Sequence, residues 1–267
     1  MTETHVRAVV LDIEGTTGSA SHVHEVLFPY ARQRIANWLA AHRGDPAWTQ
    51  VLRETRVLAG EPVLDEDGAA TALIAWSDAN VKAPPLKHVQ GLIWADGYAN
   101  GELTGHVYDD VPLALDRWQR AGIERYIYSS GSQEAQRYWF AYSDHGDLGG
   151  LLCGYFDLLS AGSKREPASY RTITDRLGVS AEATLFLSDV GEELDAAASA
   201  GWQTVAVRRP DDPRGGPVTG HRTVASLQEV LPDVPPGAAP AAGPMAPART
   251  DTGHTPGTAD VTGTTGA

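Results

Sequence analysis

Asp12-Ile13-Glu14-Gly15-Thr16-Thr17 sets two carboxylates two residues apart, directly after the apolar run Ala8-Val9-Val10-Leu11. If that run is a strand, alternation of side chains puts Asp12 and Glu14 on the same side. Gly15 lets the chain turn away closely, and the two threonine hydroxyls can bond backbone or an anion. Carboxylates at the carboxyl end of a strand can hold Mg²⁺, and one of them can attack phosphorus as a nucleophile. Taken alone, the pair fits a turn or a helix cap equally well. The order of the elements that follow decides between these readings.

Three later segments carry matching chemistry. Tyr128-Ser129-Ser130-Gly131-Ser132 ends a predicted strand and opens a helix, where hydroxyls and free N–H groups can receive phosphate oxygens. The competing reading is a cap by Ser130 or Ser132, with Gln133 three residues after Ser130 resembling a capping box. Lys164 lies in a loop before a helix predicted to start at Pro167. As a compact point charge it can neutralise both a carboxylate and a phosphoryl group, with solvated surface as the alternative and Arg165 as the rival cation. Leu185-Phe186-Leu187-Ser188-Asp189 is a second apolar run ending in a carboxylate, with Glu193 one helical turn later. Asp189 is therefore either a metal ligand or an N-cap.

The elements that must position these residues are legible in the periodicity. Leu27, Tyr30, Ala31, Ile35, Trp38 and Leu39 recur at helical spacing, and Pro29 suits a first turn. Further helices are predicted over Trp48–Leu58 and Ala69–Lys82, with Pro84-Pro85 breaking the second. Residues 18–99 thus form a helical insert. Beyond it a helix over Val111–Arg120 precedes strands at Arg125–Tyr128, Tyr155–Leu159, Thr184–Leu187, Thr204–Val207 and Thr223–Val224. Helices at Gln133–Tyr142, Pro167–Leu177 and Glu193–Ala200 fall between them, the last two stopped by Gly178 and Gly201. Such alternation predicts an α/β fold with a doubly wound parallel sheet, which binds ligands at the carboxyl ends of its strands. The expected division is a discontinuous α/β core from residues 1–17 and 100–231, the helical insert 18–99, and a tail 232–267. The tail is Pro, Ala, Gly and Thr with few large apolar side chains, a composition expected to stay disordered.

A chain of 267 residues with a formal net charge of −13 argues against nucleic acid or an anionic membrane as partner. Cys153 is the single cysteine, so no intrachain disulfide forms and a reducing cytoplasm is the expected setting. No apolar run approaches the roughly 20 residues of a membrane span, and the N-terminus lacks the basic-then-apolar layout of a signal peptide. A soluble cytoplasmic monomer is expected. His22, His24, His88 and His106 are not at metal-ligand spacing and are read as surface or structural residues.

An Asp after the first strand, Ser after the second, Lys before a helix and Asp after the fourth is similar to the ordered set of the haloacid dehalogenase superfamily, whose cap domain the helical insert also resembles. Asp12-Ile13-Glu14-Gly15-Thr16-Thr17, with Glu where most relatives carry a second Asp, resembles the enolase-phosphatase (acireductone synthase) family of methionine salvage. So do Leu27-Phe28-Pro29-Tyr30, Gln90-Gly91-Leu92-Ile93-Trp94, Gly97-Tyr98, Gly105-His106-Val107-Tyr108-Asp109-Asp110-Val111, Tyr126 to Ser132, Lys164-Arg165-Glu166 and Phe186-Leu187-Ser188-Asp189. The resemblance runs from about Val6 to Val207, and the tail after Pro232 has no counterpart in it.

The resemblance implies a small phosphorylated diketone as substrate, Asp12 as nucleophile and Glu14 as general acid and base. It implies Ser129, Ser130 and Lys164 as phosphate-binding residues, and Mg²⁺ held by Asp12, Glu14 and Asp189, with the backbone carbonyl as the ligand at the Glu14 position. It further implies a cap that closes over the substrate and excludes water. Two alternatives keep part of the pattern: a phosphatase of the same superfamily acting on another small ester, and a receiver-type signalling domain. The latter would carry its acidic pair and its acceptor Asp on different early strands, without a helical insert.

Overall fold

The computed structural model describes residues 6–210, 212 and 218–233. Nearly all of the expected tail lies outside the described residues, as do residues 1–5. The described chain runs β1 (Ala8–Leu11), α1 (Ala20–His22), a π-helical turn (Val23–Leu27), α2 (Phe28–Ala41), α3 (Pro46–Ala59), α4 (Glu66–Asp78) and α5 (Pro84–Ala99). It continues through α6 (Asp110–Arg120), β2 (Glu124–Tyr128), α7 (Gln133–Ala141), β3 (Gly154–Phe156) and α8 (Pro167–Leu177). Then follow β4 (Thr184–Ser188), α9 (Gly191–Ser199), β5 (Gln203–Val207) and β6 (Arg222–Val224).

The strands form one parallel sheet in the order β3-β2-β1-β4-β5-β6. Every residue of β1 is buried, as expected of a central parallel strand covered on both faces. Alternation divides it cleanly. Val9 and Leu11 join Leu115 and Trp118 of α6 and Phe140 of α7 on one face. Val10 joins Tyr170 and Ile173 of α8 and Leu194 of α9 on the other. Each such side chain contributes about 1.5–3 kcal/mol on full burial. The order reverses between β1 and β4, which is the crevice where doubly wound sheets bind ligands. A receiver-type sheet has the order 2-1-3-4-5, so this topology removes that alternative.

Helices α2 to α5 bury a separate apolar cluster, with Ile35, Leu39, Val51, Leu73, Val89 and Ile93 at its centre. The expected break at Pro84-Pro85 is instead a beginning. Pro84 and Pro85 occupy the first turn of α5, where a missing N–H costs nothing. The preceding helix spans Glu66–Asp78 rather than Ala69–Lys82, because Asp65 caps it through Gly68 N. Pro29 sits in the first turn of α2 as expected, although helical backbone already runs from Ala20 through the π turn. On the return path, a side chain at Gly105 would run into the backbone of Trp139 in α7, so this position needs glycine.

The third strand is shorter than the predicted Tyr155–Leu159. Asp157 leaves it by accepting from Ser160 N at 2.8 Å, a local turn that competes with extended pairing.

Candidate active site

The chain leaves β1 at Leu11, one residue before Asp12, so strand alternation does not extend to Glu14. A tight loop takes over, in which the N–H groups of Thr16, Thr17 and Gly18 all donate to the Ile13 carbonyl at 2.8–3.1 Å. Gly15 takes φ of 74° within it. Thr17 Oγ1 donates to the Asp12 carbonyl at 2.8 Å, and Ile13 N donates to Asp12 Oδ1 at 2.7 Å. The loop is clamped from outside by Arg209, whose Nε and Nη2 both donate to the Thr16 carbonyl while Nη1 pairs with Asp110.

Asp12 and Lys164 meet although 152 positions separate them, and both are about 6% exposed or less. Lys164 Nζ stands 2.6 Å from Asp12 Oδ1 and 2.7 Å from Glu193 Oε2. Arg165, the rival cation, is exposed. Tyr170 fixes the lysine's backbone by donating to its carbonyl at 2.7 Å, and the Tyr128 hydroxyl holds Gly162 of the same loop. Burial alone would lower the Lys164 pKa, but the charges of Asp12 and Glu193 outweigh it and raise the pKa, so the ammonium persists. The Glu193 carboxyl is pushed up, first by burial and then by Asp12, against the pull of Lys164. Both shifts are upward, favouring the charged lysine and the neutral Glu193, because one cation is shared by two carboxylates. Lys164 stays charged, and Glu193 is the member most easily neutralised.

Asp189 leaves β4 beside β1, with Asp12 N donating to the Leu187 carbonyl at 3.0 Å. It is not the cap of α9. That position belongs to Val190, and it is Ser188 Oγ that accepts from Val190 N and donates to Glu193. Arg208 donates to the Asp189 carbonyl and holds this second loop.

Across the crevice Ser129 is buried at the end of β2, its Oγ accepting from Gly131 N at 3.3 Å. Ser130 is exposed, and the N-cap of α7 is Ser132, accepting from Ala135 N. The expected capping box from Ser130 to Gln133 is therefore absent. Gln133 N donates to Asp157 instead. With Ser132 at the cap, neither Ser129 nor Ser130 is the N-cap of α7.

Asp12 and Asp189, both nearly buried, emerge from adjacent strands. Among the described residues no three His, Cys, Asp or Glu side chains gather as a cage, so the Glu14 carboxylate does not complete a cluster with them. Two carboxylates supplemented by backbone, phosphate and water oxygens suit Mg²⁺, which dehydrates reluctantly. They are not the donor set of a closed Zn²⁺ centre.

His22, the last residue of α1, donates through Nε2 to the Thr104 carbonyl at 2.9 Å, and His106 Nδ1 accepts from Ser19 N at 3.2 Å. Sequence reasoning left Glu193 outside the site although its place one turn after Asp189 was the signal. It also missed Arg208, Arg209 and Lys87, whose contacts no local pattern marks.

A family model for haloacid dehalogenase-like hydrolases matches residues 6–201. The chain is 50% identical over 225 residues to the enolase-phosphatase E1 of Frankia alni, covering 84% of this chain and 94% of that protein. It is 45% identical over 226 residues to the enolase-phosphatase E1 of Pseudomonas aeruginosa, covering 85% of this chain and 98% of that one. The crystal structure of the UTR4 protein of Saccharomyces cerevisiae is similar at a TM-score of 0.72 and 30% identity, over 85% of this chain and all of that one. The family model spans Asp12, Ser129, Lys164 and Asp189, and the chain belongs to the haloacid dehalogenase-like hydrolases and, within them, to the enolase-phosphatase E1 family.

Proposed function

We propose that this enzyme converts 2,3-diketo-5-methylthiopentyl 1-phosphate into the acireductone 1,2-dihydroxy-3-keto-5-methylthiopentene and phosphate, with Asp12 as nucleophile. The observation that carries the phosphatase chemistry is the buried Lys164 ammonium at 2.6 Å from Asp12, beside the Ser129 loop. The choice of substrate rests on the family. Helices α2 to α5 are read as the cap that shields the reaction from water, and the α/β elements as the catalytic core.

The Asp12 carboxylate attacks phosphorus, forming a P–O bond to its own oxygen as the bond to the substrate's ester oxygen breaks. Glu14 gives a proton to that leaving oxygen. It then takes one from the water that hydrolyses the aspartyl-phosphate. Ser129 and the exposed Ser130 receive phosphoryl oxygens. Lys164 holds Asp12 in place and offsets charge on the transferring group. Asp12, Asp189 and the backbone carbonyl at Glu14 would hold Mg²⁺, which when bound spreads the phosphoryl charge. The loops that carry these donors are kept in register by Arg209 on Thr16 and Arg208 on Asp189.

The direct test supplies the diketone phosphate with Mg²⁺ and follows phosphate release and the acireductone's ultraviolet absorption together. Both should rise in equal amounts. Phosphate without acireductone, or neither, would mean another ester is the substrate.

Asp189→Ala should weaken Mg²⁺ binding, measured by calorimetry on the protein alone, by about 10-fold or more, since a carboxylate is a principal donor to this ion. Unchanged Mg²⁺ affinity would remove Asp189 from the metal site.

A further inference from the structure

Lys87 is in the first turn of α5, on the helical insert, yet its ammonium reaches the α/β core. Nζ donates to the Ser130 carbonyl at 2.8 Å, a contact between residues 43 positions apart. It is therefore the insert's polar contact with the loop that carries Ser129 and Ser130.

At this crevice Lys164 is matched by Asp12 and Glu193, and Arg209 by Asp110. Lys87 has no carboxylate at ion-pair distance among the described residues. Asp157 is the acid whose charge reaches it, but that carboxylate is already engaged by Ser160 N at 2.8 Å and Gln133 N at 3.2 Å. Partial burial draws the Lys87 pKa down, Asp157 working against this and Lys82 with it. A cation resting on a neutral carbonyl, at the mouth of a site for an anionic substrate, is available to a ligand oxygen.

Position says which oxygen. The phosphoryl seat is served from the core by Lys164 and Ser129. Lys87 comes from the insert and touches the loop one residue beyond Ser129. A phosphate ester whose carbon chain runs from the seat toward the insert brings its carbonyl oxygens to Lys87. Enolisation of the diketone breaks a C1–H bond, whose electron pair becomes the C1=C2 bond while the proton passes to water. The π pair of the C2 carbonyl moves onto its oxygen, where a negative charge develops.

We propose that Lys87 is a catalytic residue of the enolisation half of the reaction, its ammonium donating to the C2 oxygen as that charge forms; the proposal rests on the function assigned above. Lys87 would exchange its bond to the exposed Ser130 for one to substrate, so the insert supplies the enolising cation and the core supplies phosphoryl transfer. A preorganised donor aimed at a developing oxyanion is the kind of group whose loss falls on turnover rather than on binding.

The test compares Lys87→Met and Lys87→Arg on two esters with Mg²⁺: the diketone phosphate, and 4-nitrophenyl phosphate, which has no proton to lose from carbon. Lys87→Met should lower kcat on the diketone by about 10²- to 10³-fold and change 4-nitrophenyl phosphate hydrolysis by less than about 3-fold. A C1-deuterated diketone should show a larger isotope effect in Lys87→Met than in the wild type, and Lys87→Arg should recover part of the rate. Equal losses on both esters would overturn the proposal, placing Lys87 on the phosphate or in cap docking. So would unchanged turnover of the diketone. Wild-type turnover of the diketone decides the parent function, and the variant's ratio between the two esters decides Lys87.

Discussion

Replacing Asp12 by Asn should lower turnover by a factor on the order of 10⁴ or more while the protein stays folded, because the variant keeps the shape but loses the attacking charge. The amide oxygen can still accept from Ile13 N, as Oδ1 does at 2.7 Å. Lys164 retains Glu193 as a partner at 2.7 Å, so the ammonium is not left alone in the interior. Both points predict a melting temperature close to that of the wild type and separate loss of chemistry from loss of fold. A beryllium fluoride adduct should form on the Asp12 carboxylate of the wild type and fail to form in Asp12→Asn. An adduct on any other side chain, or residual turnover within 10-fold of wild type, would move the nucleophile elsewhere.

The features that made this site readable were local. An apolar run ending in a carboxylate marks a strand end, and Asp12 and Asp189 were found that way. The β1–β4 pairing then puts them side by side at the reversal of strand order. Pro167 announced its helix because proline fits a first turn. The misreadings came from the same rule applied in the wrong direction. Pro84-Pro85 was taken as a stop when the apolar stretch from Leu86 to Ile93 needed a start. Ser130 was paired with Gln133 on spacing, but the cap depends on backbone dihedrals, and Ser132 has the extended ones.

Contacts that depend on the whole fold left no trace in spacing. Lys164 reaches Asp12 only because β1, β4 and the loop after β3 share one crevice, and nothing near Lys164 distinguishes it from a surface lysine. Arg209 holds the Thr16 carbonyl across 193 positions. Lys87 needs both the insert and the core in place before its contact exists. What linked these positions in the sequence was the family pattern, which encodes the fold's juxtapositions without stating them.

The largest combined effect on stability and activity is expected at Lys164. Lys164→Met removes the one cation between Asp12 and Glu193, whose side chains are 7% and 12% exposed. Breaking a buried charge pair by deleting one partner costs about 3–5 kcal/mol. For a chain of this size that is on the order of 10 °C in melting temperature. Turnover should vanish as well, since Asp12 loses the group that orients it.

The loss of stability should depend on pH in a predictable direction. The Glu193 carboxyl has its folded pKa raised by burial and by Asp12 above its ordinary 4.5, and without Lys164 the rise is larger. Between the unfolded and folded values the native state holds more protons than the unfolded state, so unfolding free energy falls as pH rises through that window. Lys164→Met should therefore be least destabilised below about pH 4.5 and progressively worse above it. Adding Glu193→Gln removes the titrating group. The double variant should flatten the pH dependence and regain much of the stability, yet remain inactive. Denaturant titrations of the two single variants and the double, at several pH values, measure the coupling directly. A Lys164→Met protein as stable as wild type at neutral pH would show that solvent or rearrangement relieves the two carboxylates. A double variant that regained turnover would show that Lys164 serves the fold alone and that the phosphoryl charge is met by other groups.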